Sequence, residues 1–279
     1  MCNEKPIESV KEFTEKTKSD YENWGLGKSP RFAWFRGEPE CDTPLVPKLY
    51  RGKYNDGYQE DYFENRLLQH FRMRAMASGK MPNREGETDL WLFLAQHVRL
   101  PTRLLDWTEG SLIALYFALQ EVNNKKIPVV WMLNPFGLNC LAQEKKPSLD
   151  EYNIYAITWC HPDPCNINIG YENIRSAWEN DRGRVEFPVA ISPTYVHQRI
   201  PAQRSCFTVH GKRKESMCTL LFGKDVLKKY VIDQRNPIKM LEELRTLGVS
   251  WGSLFPDIDG LARDLTELFR PDLAWPEMF

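Results

Sequence analysis

The sequence lacks surplus charge, long apolar runs and a cysteine framework, and each absence removes a class of function. Its 37 Lys+Arg against 38 Asp+Glu leave a net charge of −1. No global field therefore draws nucleic acid or an anionic membrane, and any polyanion site has to be local. The longest purely apolar run, 112–119, has eight residues, far short of the ~20 that a transmembrane helix needs. The N-terminus, Met-Cys-Asn-Glu-Lys, lacks the charged-then-apolar order of a signal peptide. A cytoplasmic protein with no membrane partner is the expectation. The 7 cysteines are odd in number and scattered from 2 to 218, so reduced thiols are expected. Cys160-His161-Pro162-Asp163-Pro164-Cys165 carries the donors of half a metal site, but no second close Cys/His pair accompanies it. Neither metal nor disulfide is expected there. P-loop, G-x-G-x-x-G, H-E-x-x-H and G-x-S-x-G motifs are absent.

With 279 residues and 42% hydrophobic content, the chain can bury a sizeable core. Helical periodicity predicts helices over 7–24, 59–77, 89–97, 109–122, 237–247 and 257–270. Short β-branched and aromatic runs predict strands at 31–36, 128–133, 154–159, 187–191, 206–210 and 230–233. The prolines of 42–47 require an extended loop. Residues 79–87 and 160–185 read as surface loops. The expected architecture is α+β, a single domain spanning 1–279. It has a helical part to about 125, a strand-rich part over about 126–235 and closing helices from about 236.

The densest chemistry lies in Gln96-His97-Val98-Arg99-Leu100-Pro101-Thr102-Arg103-Leu104-Leu105-Asp106-Trp107-Thr108, between two apolar segments. A polar stretch pinned between buried elements is how a fold presents a site. The plainer alternative is a capped helix start, with Asp106 or Thr108 satisfying amides and Arg103 paired to Asp106. Arg36 closes an aromatic strand. It is either an ion-pair member with Glu38 or Asp106, or a planar fork for phosphate. His97 is either a core imidazole bonded to a carbonyl or a general base or ribose contact. Trp107 could stack a flat heterocycle. Gln203 could present its amide to a ligand or satisfy backbone. Tyr116 and Phe117 read as core.

The chain resembles the FRG domain family. The likeness rests on Trp34-Phe35-Arg36-Gly37-Glu38, Leu45-Val46-Pro47, Ala95-Gln96-His97, Leu100-Pro-Thr-Arg-Leu-Leu-Asp-Trp-Thr108 and Ala114-Leu-Tyr-Phe-Ala118. Arg199-Ile200, Gln203, Phe207-Thr208 and Leu254-Phe255-Pro256-Asp257 extend it. Arg99 and Ser205 stand where the family pattern has glycine. More distantly the chain resembles the ADP-ribosyltransferase fold. An aromatic-Arg-Gly strand there binds NAD, and a hydroxyl-bearing segment leads into an Ala-x-x-Phe helix, as Thr108 leads into Ala114–Phe117. The third motif of that fold carries a glutamate before a Leu/Ile-Pro turn. The comparable place here, Tyr195-Val-His-Gln-Arg-Ile-Pro201, has none, so Gln203, His97 or Asp106 would have to stand in.

This resemblance implies a split, mixed central sheet flanked by helices. It also implies NAD-dependent ADP-ribosyl transfer or NAD glycohydrolysis by a toxin or antiviral effector. NAD would be substrate, no metal is needed, and a protein or nucleic-acid acceptor and an antitoxin would be partners. The implied catalytic residues are His97, Asp106 and Gln203, and the implied ligand-binding residues are Arg36, Gly37, Arg103, Trp107 and Thr108. Two rival readings remain. One is a non-enzymatic module that binds a nucleotide or nucleic-acid end. The other is a metal-independent nuclease built on His97 and His197.

Overall fold

A long amphipathic helix opens the fold because apolar residues recur at helical spacing. In α1 (Val10–Asn23) the buried residues are Val10, Phe13 and Thr17, and Ser9 caps the start by accepting from the Glu12 amide. The computed structural model describes residues 5–26, 32–51, 60–75, 88–120, 126–142, 158–159, 187–193, 195, 197–210 and 213–269. The expected loops at 79–87 and 160–185, including Cys160 and Cys165, fall outside the described residues.

In chain order the elements that place the site are β1 (Trp34–Glu38), α2 (Glu60–Ala75), α3 (Thr88–His97), β2 (Leu104–Thr108), α4 (Ser111–Leu119) and β3 (Val129–Leu133). Next come α5 (Pro135–Ala142), β4 (Thr158–Trp159), β5 (Val189–Ser192), α6 (Arg199–Ala202), β6 (Ser205–Val209), α7 (Met217–Leu220) and β7 (Leu227–Val231). The last are α8 (Pro237–Thr246), α9 (Trp251–Leu254) and α10 (Ile258–Leu268). Among the described residues the strands form one sheet in the order β4-β5-β6-β2-β1-β3-β7. The sheet is mixed, since β4 and β5 are parallel and the other neighbours antiparallel. The architecture is α+β, as expected.

Two central strands come from the mainly helical part: β1 falls on the strand expected at 31–36, whereas β2 was not expected. The segment expected to begin a helix at Thr108 is strand β2, and the following helix runs only over Ser111–Leu119 with Gly110 at its N-cap. Period two explains the difference. Leu105 and Trp107 enter the larger core cluster, and Leu104 enters a second one with Phe93, Phe207 and Val209. The backbone ladder to β6 then runs unbroken from Leu104↔Val209 to Thr108↔Ser205. Other elements that periodicity did not reveal are α5 and the short helices α6, α7 and α9, too brief to carry a pattern.

The sheet is nevertheless split at its centre. β1 pairs with β3 along its whole length, from Trp34↔Leu133 to Glu38↔Val129, but meets β2 only at Phe35↔Thr108. Helix α4, buried almost all round, lies directly on β1. The contact requires Gly37, because a Cβ there would sit 1.9 Å from the Ala114 carbonyl oxygen and 2.6 Å from the Ala118 nitrogen. Both obstacles are helix backbone, so neither can swing aside.

Candidate functional site

A cleft of about 410 Å³ opens where β1 and β2 part. Its walls come from the end of α3, the two strands, the end of α4, the 199–205 turn and α9. Arg36, Gly37, His97, Asp106, Trp107, Thr108 and Gln203 all line it. The topology thus gathers residues from three distant segments that the sequence singled out.

Arg36 fills the split. Its Nη1 donates to the Asp106 carbonyl oxygen at 2.7 Å, replacing the ladder bond that β1 no longer offers. Its Nε donates to Glu38 Oε1 at 2.6 Å, and Glu38 is buried. Arg36 is therefore an ion-pair member first, with only part of its fork left for a ligand.

Asp106 is the exposed residue of an otherwise buried strand. Its Oδ2 accepts from Gln96 Nε2 at 2.7 Å and lies 3.9 Å from Arg36 Nη1. Gln96 is itself fixed, because its Oε1 accepts from Thr102 Oγ1, which in turn accepts from the Leu104 amide. A relay of amide and hydroxyl groups thus sets the carboxylate orientation, and Gln96 is the positioning residue that sequence reasoning passed over. Among the described residues Asp106 is the carboxylate that lines the cleft.

Arg103 is not part of this constellation. Its side chain is 2% exposed and pairs with Glu64 of α2, itself 3% exposed, with Nε to Oε2 at 2.5 Å. The Arg103 amide also donates to Glu64 Oε1 at 2.9 Å. The expected Arg103–Asp106 pair is absent because an offset of three in extended chain turns side chains to opposite sides. Trp107 is buried, its indole Nε1 donating to Thr208 Oγ1 at 3.1 Å within the core. At 3% exposure it reaches the cleft wall with little of its ring open to a ligand. Thr108 uses both hydroxyl functions locally, donating to the Gln203 carbonyl oxygen and accepting from the Gly110 amide. Gln203 donates through Nε2 to the Leu254 carbonyl oxygen at 3.1 Å, which ties the turn to α9.

The aromatic lining comes instead from Phe117, Trp251 and Phe255. The Trp251 and Phe255 rings stack at 4.1 Å and 16°, and Phe117 meets Phe255 edge-on. Arg199 lies over Phe255, and its Nε donates to Asp257, the N-cap of α10. The Phe255–Asp257 motif was visible in the sequence, but nothing there placed it beside residues 36 and 106.

His97 stacks on His197 with ring centroids 3.9 Å apart. Burial, together with the nearby His197 and Arg199 charges, pushes the His97 pKa down to about 4. It is therefore neutral at pH 7, a form that accepts a proton or a hydroxyl hydrogen bond. His197 Nδ1 accepts from the Arg199 amide at 3.2 Å.

The backbone at the two departures from the family pattern differs. Arg99 has φ 67, the left-handed region, as the residue that ends α3. Ser205 is ordinary strand, and the left-handed residue is its neighbour Arg204, φ 47.

The FRG domain family matches the chain over residues 31–127. That span contains Arg36, His97, Asp106 and α4 but not the 197–207 and 251–257 sides of the cleft. No curated protein and no solved structure matches the chain.

Proposed function

Residues 31–127 match the FRG domain family, and from that premise we propose that the cleft binds NAD and breaks its nicotinamide–ribose bond, transferring ADP-ribose to water or to an acceptor. The observation that carries this reading is Asp106: an oriented, exposed carboxylate in a cleft with aromatic lining and a neutral imidazole. NAD joins a cationic ring to an anionic pyrophosphate, and the cleft holds complements to both. Phe117 and the Trp251–Phe255 pair suit the ring, and the remaining N–H groups of Arg36 with Arg199 suit the phosphates.

In the reaction the glycosidic C–N bond breaks and nicotinamide leaves with the electron pair. Asp106 stabilises the positive charge that develops on the ribose. The acceptor oxygen forms the new bond to the ribose carbon, and its proton passes to His97, neutral and adjacent to the site. Gln203 holds the 199–205 turn against α9 and acts as a positioning residue. In a cell such turnover drains NAD or modifies a protein or nucleic acid, as a toxin or antiviral effector would, and an antitoxin would occlude the cleft.

A second reading is a non-enzymatic nucleotide-binding module. It is favoured by the partners that Arg36 and Asp106 already have and by the lack of a glutamate in 195–201. Calorimetric titration with NAD, followed by NAD turnover on the same protein, separates the two. Binding and release of nicotinamide, both abolished in Asp106→Asn with an unchanged melt, support the enzyme. Binding without release supports the module. RNA cleavage in the absence of NAD, lost in His97→Ala and His197→Ala, would replace both readings with a nuclease.

A further inference from the structure

A second pocket of about 470 Å³ adjoins the cleft and shares Arg36, Gln96, Arg99 and Asp106 with it. Its own residues are Lys48 and Arg51, over an apolar floor of Leu100, Leu104 and Leu105. Four cations thus converge on a space where Asp106 is the lining carboxylate. Glu38 is already bound to Arg36.

Arg36 is paired with Glu38, whereas Lys48 and Arg51 are held by carbonyls rather than by opposite charge. Arg51 donates through Nε to the Val46 oxygen at 2.8 Å and through Nη2 to the Pro44 oxygen. Lys48 Nζ donates to the Arg99 oxygen at 2.9 Å. The proline-rich turn and the short 3-10 helix over Lys48–Tyr50 therefore fold so as to aim both side chains at one place. Burial first, and then the Arg36 charge, depress the Arg51 pKa, and the Glu38 and Asp106 carboxylates offset only part of this.

Arg99 adds a strained backbone to the same wall. The Arg99 amide donates to the Gln96 oxygen and the Leu100 amide to the Ala95 oxygen, which is the Schellman closure of α3. Its central position takes φ 67, where glycine is at ease and a side chain is not. The Arg99 side chain lines both pockets.

We propose that this pocket binds a phosphate monoester carried by a nucleotide whose remainder lies in the cleft. A dianion matches the cation excess, and planar guanidiniums with one ammonium are the donors that phosphate takes. The shared wall of Arg36, Gln96, Arg99 and Asp106 makes the two pockets parts of one ligand path. The preferred ligand is then a nucleotide with an additional phosphomonoester rather than its parent. The inference concerns binding and stands whether or not the cleft turns NAD over.

The test is calorimetry on the full chain with pairs that differ only in that group: NADP against NAD, and adenosine 3′,5′-bisphosphate against AMP. Inorganic phosphate serves as competitor and as a ligand alone. The phosphomonoester should tighten binding by about tenfold or more, roughly one charge-assisted contact. Arg51→Gln and Lys48→Gln should remove the difference while leaving affinity for the parent unchanged. Using both variants covers the case in which loss of the Arg51 carbonyl bonds disturbs the fold. Free phosphate that displaces only the phosphorylated member locates the recognition in the phosphate itself. Equal binding of each pair overturns the proposal. So does a preference that survives both variants, or phosphate that neither binds nor competes at millimolar concentration.

Discussion

Breaking the Arg103–Glu64 pair should destabilise the protein without touching the cleft. Both side chains are almost fully buried, and Glu64 accepts from both the Arg103 side chain and its amide. Removing one member of a buried pair takes from the other charge its close partner and costs roughly 3–5 kcal/mol. Against a total stability of roughly 5–15 kcal/mol, that loss is a large share. At about 2–4 °C per kcal/mol for a domain of this size, Glu64→Ala should lower Tm by roughly 6–20 °C. The paired replacement Glu64→Leu with Arg103→Met should recover most of that, because apolar groups of similar volume do not carry the desolvation penalty. Thermal melts by circular dichroism measure the change, and NAD titration at low temperature, where each variant is folded, reads the site. If Arg103→Met instead melts like the parent protein and loses ligand affinity, the guanidinium serves the ligand and the placement argued here is wrong.

The remaining expectations concern backbone and titration. Gly37→Ala should abolish soluble expression or collapse Tm, since its Cβ would lie 1.9 Å from the Ala114 oxygen; a soluble variant with a normal melt would refute the β1–α4 contact. Arg99→Gly should raise stability by about 1–2 kcal/mol by relieving a left-handed residue, read as a higher denaturation midpoint, and an unchanged or lower midpoint would argue against that strain. Acidification from about pH 6.5 to about 4 should destabilise the fold. Over that window the unfolded His97 takes a proton that the folded one takes only near 4. His210, buried and pushed down to about 3, acts in the same direction. His97→Gln should flatten the dependence of Tm on pH between 6.5 and 5, where carboxylates contribute least, and parallel curves for the two proteins would rule out the His97 contribution.

The long helices were legible because burial imposes a 3.6 period that no other element imitates: Phe63, Leu67 and Phe71 were enough to place α2, and Leu261, Leu265 and Leu268 to place α10. On α10, however, the period reveals the helix and not its packing, since those leucines are exposed. β2 was missed for the opposite reason. Five residues with a charge at the centre fit a helix start as well as a strand, and only pairing to β6, a partner about a hundred residues away, decides between them. The site inherits that ambiguity. Once 104–108 is extended, Asp106 faces the cleft, Trp107 turns into the core and Arg103 must find its partner elsewhere, so one change of period reassigns three candidate residues. His97, His197 and Phe255 could each be singled out in the sequence, but the stack of His197 on His97 and the arrival of Trp251 and Phe255 beside residues 36 and 106 depend on topology. Arg99 is the intermediate case. Its left-handed backbone follows from the way α3 ends, and that ending needs a residue two beyond His97 to turn the chain into Leu100-Pro101. The sequence supplies an arginine there instead of a glycine, at the wall between the two pockets. A position where the local rule is broken and the side chain faces a cavity is where function, rather than folding, accounts for the residue.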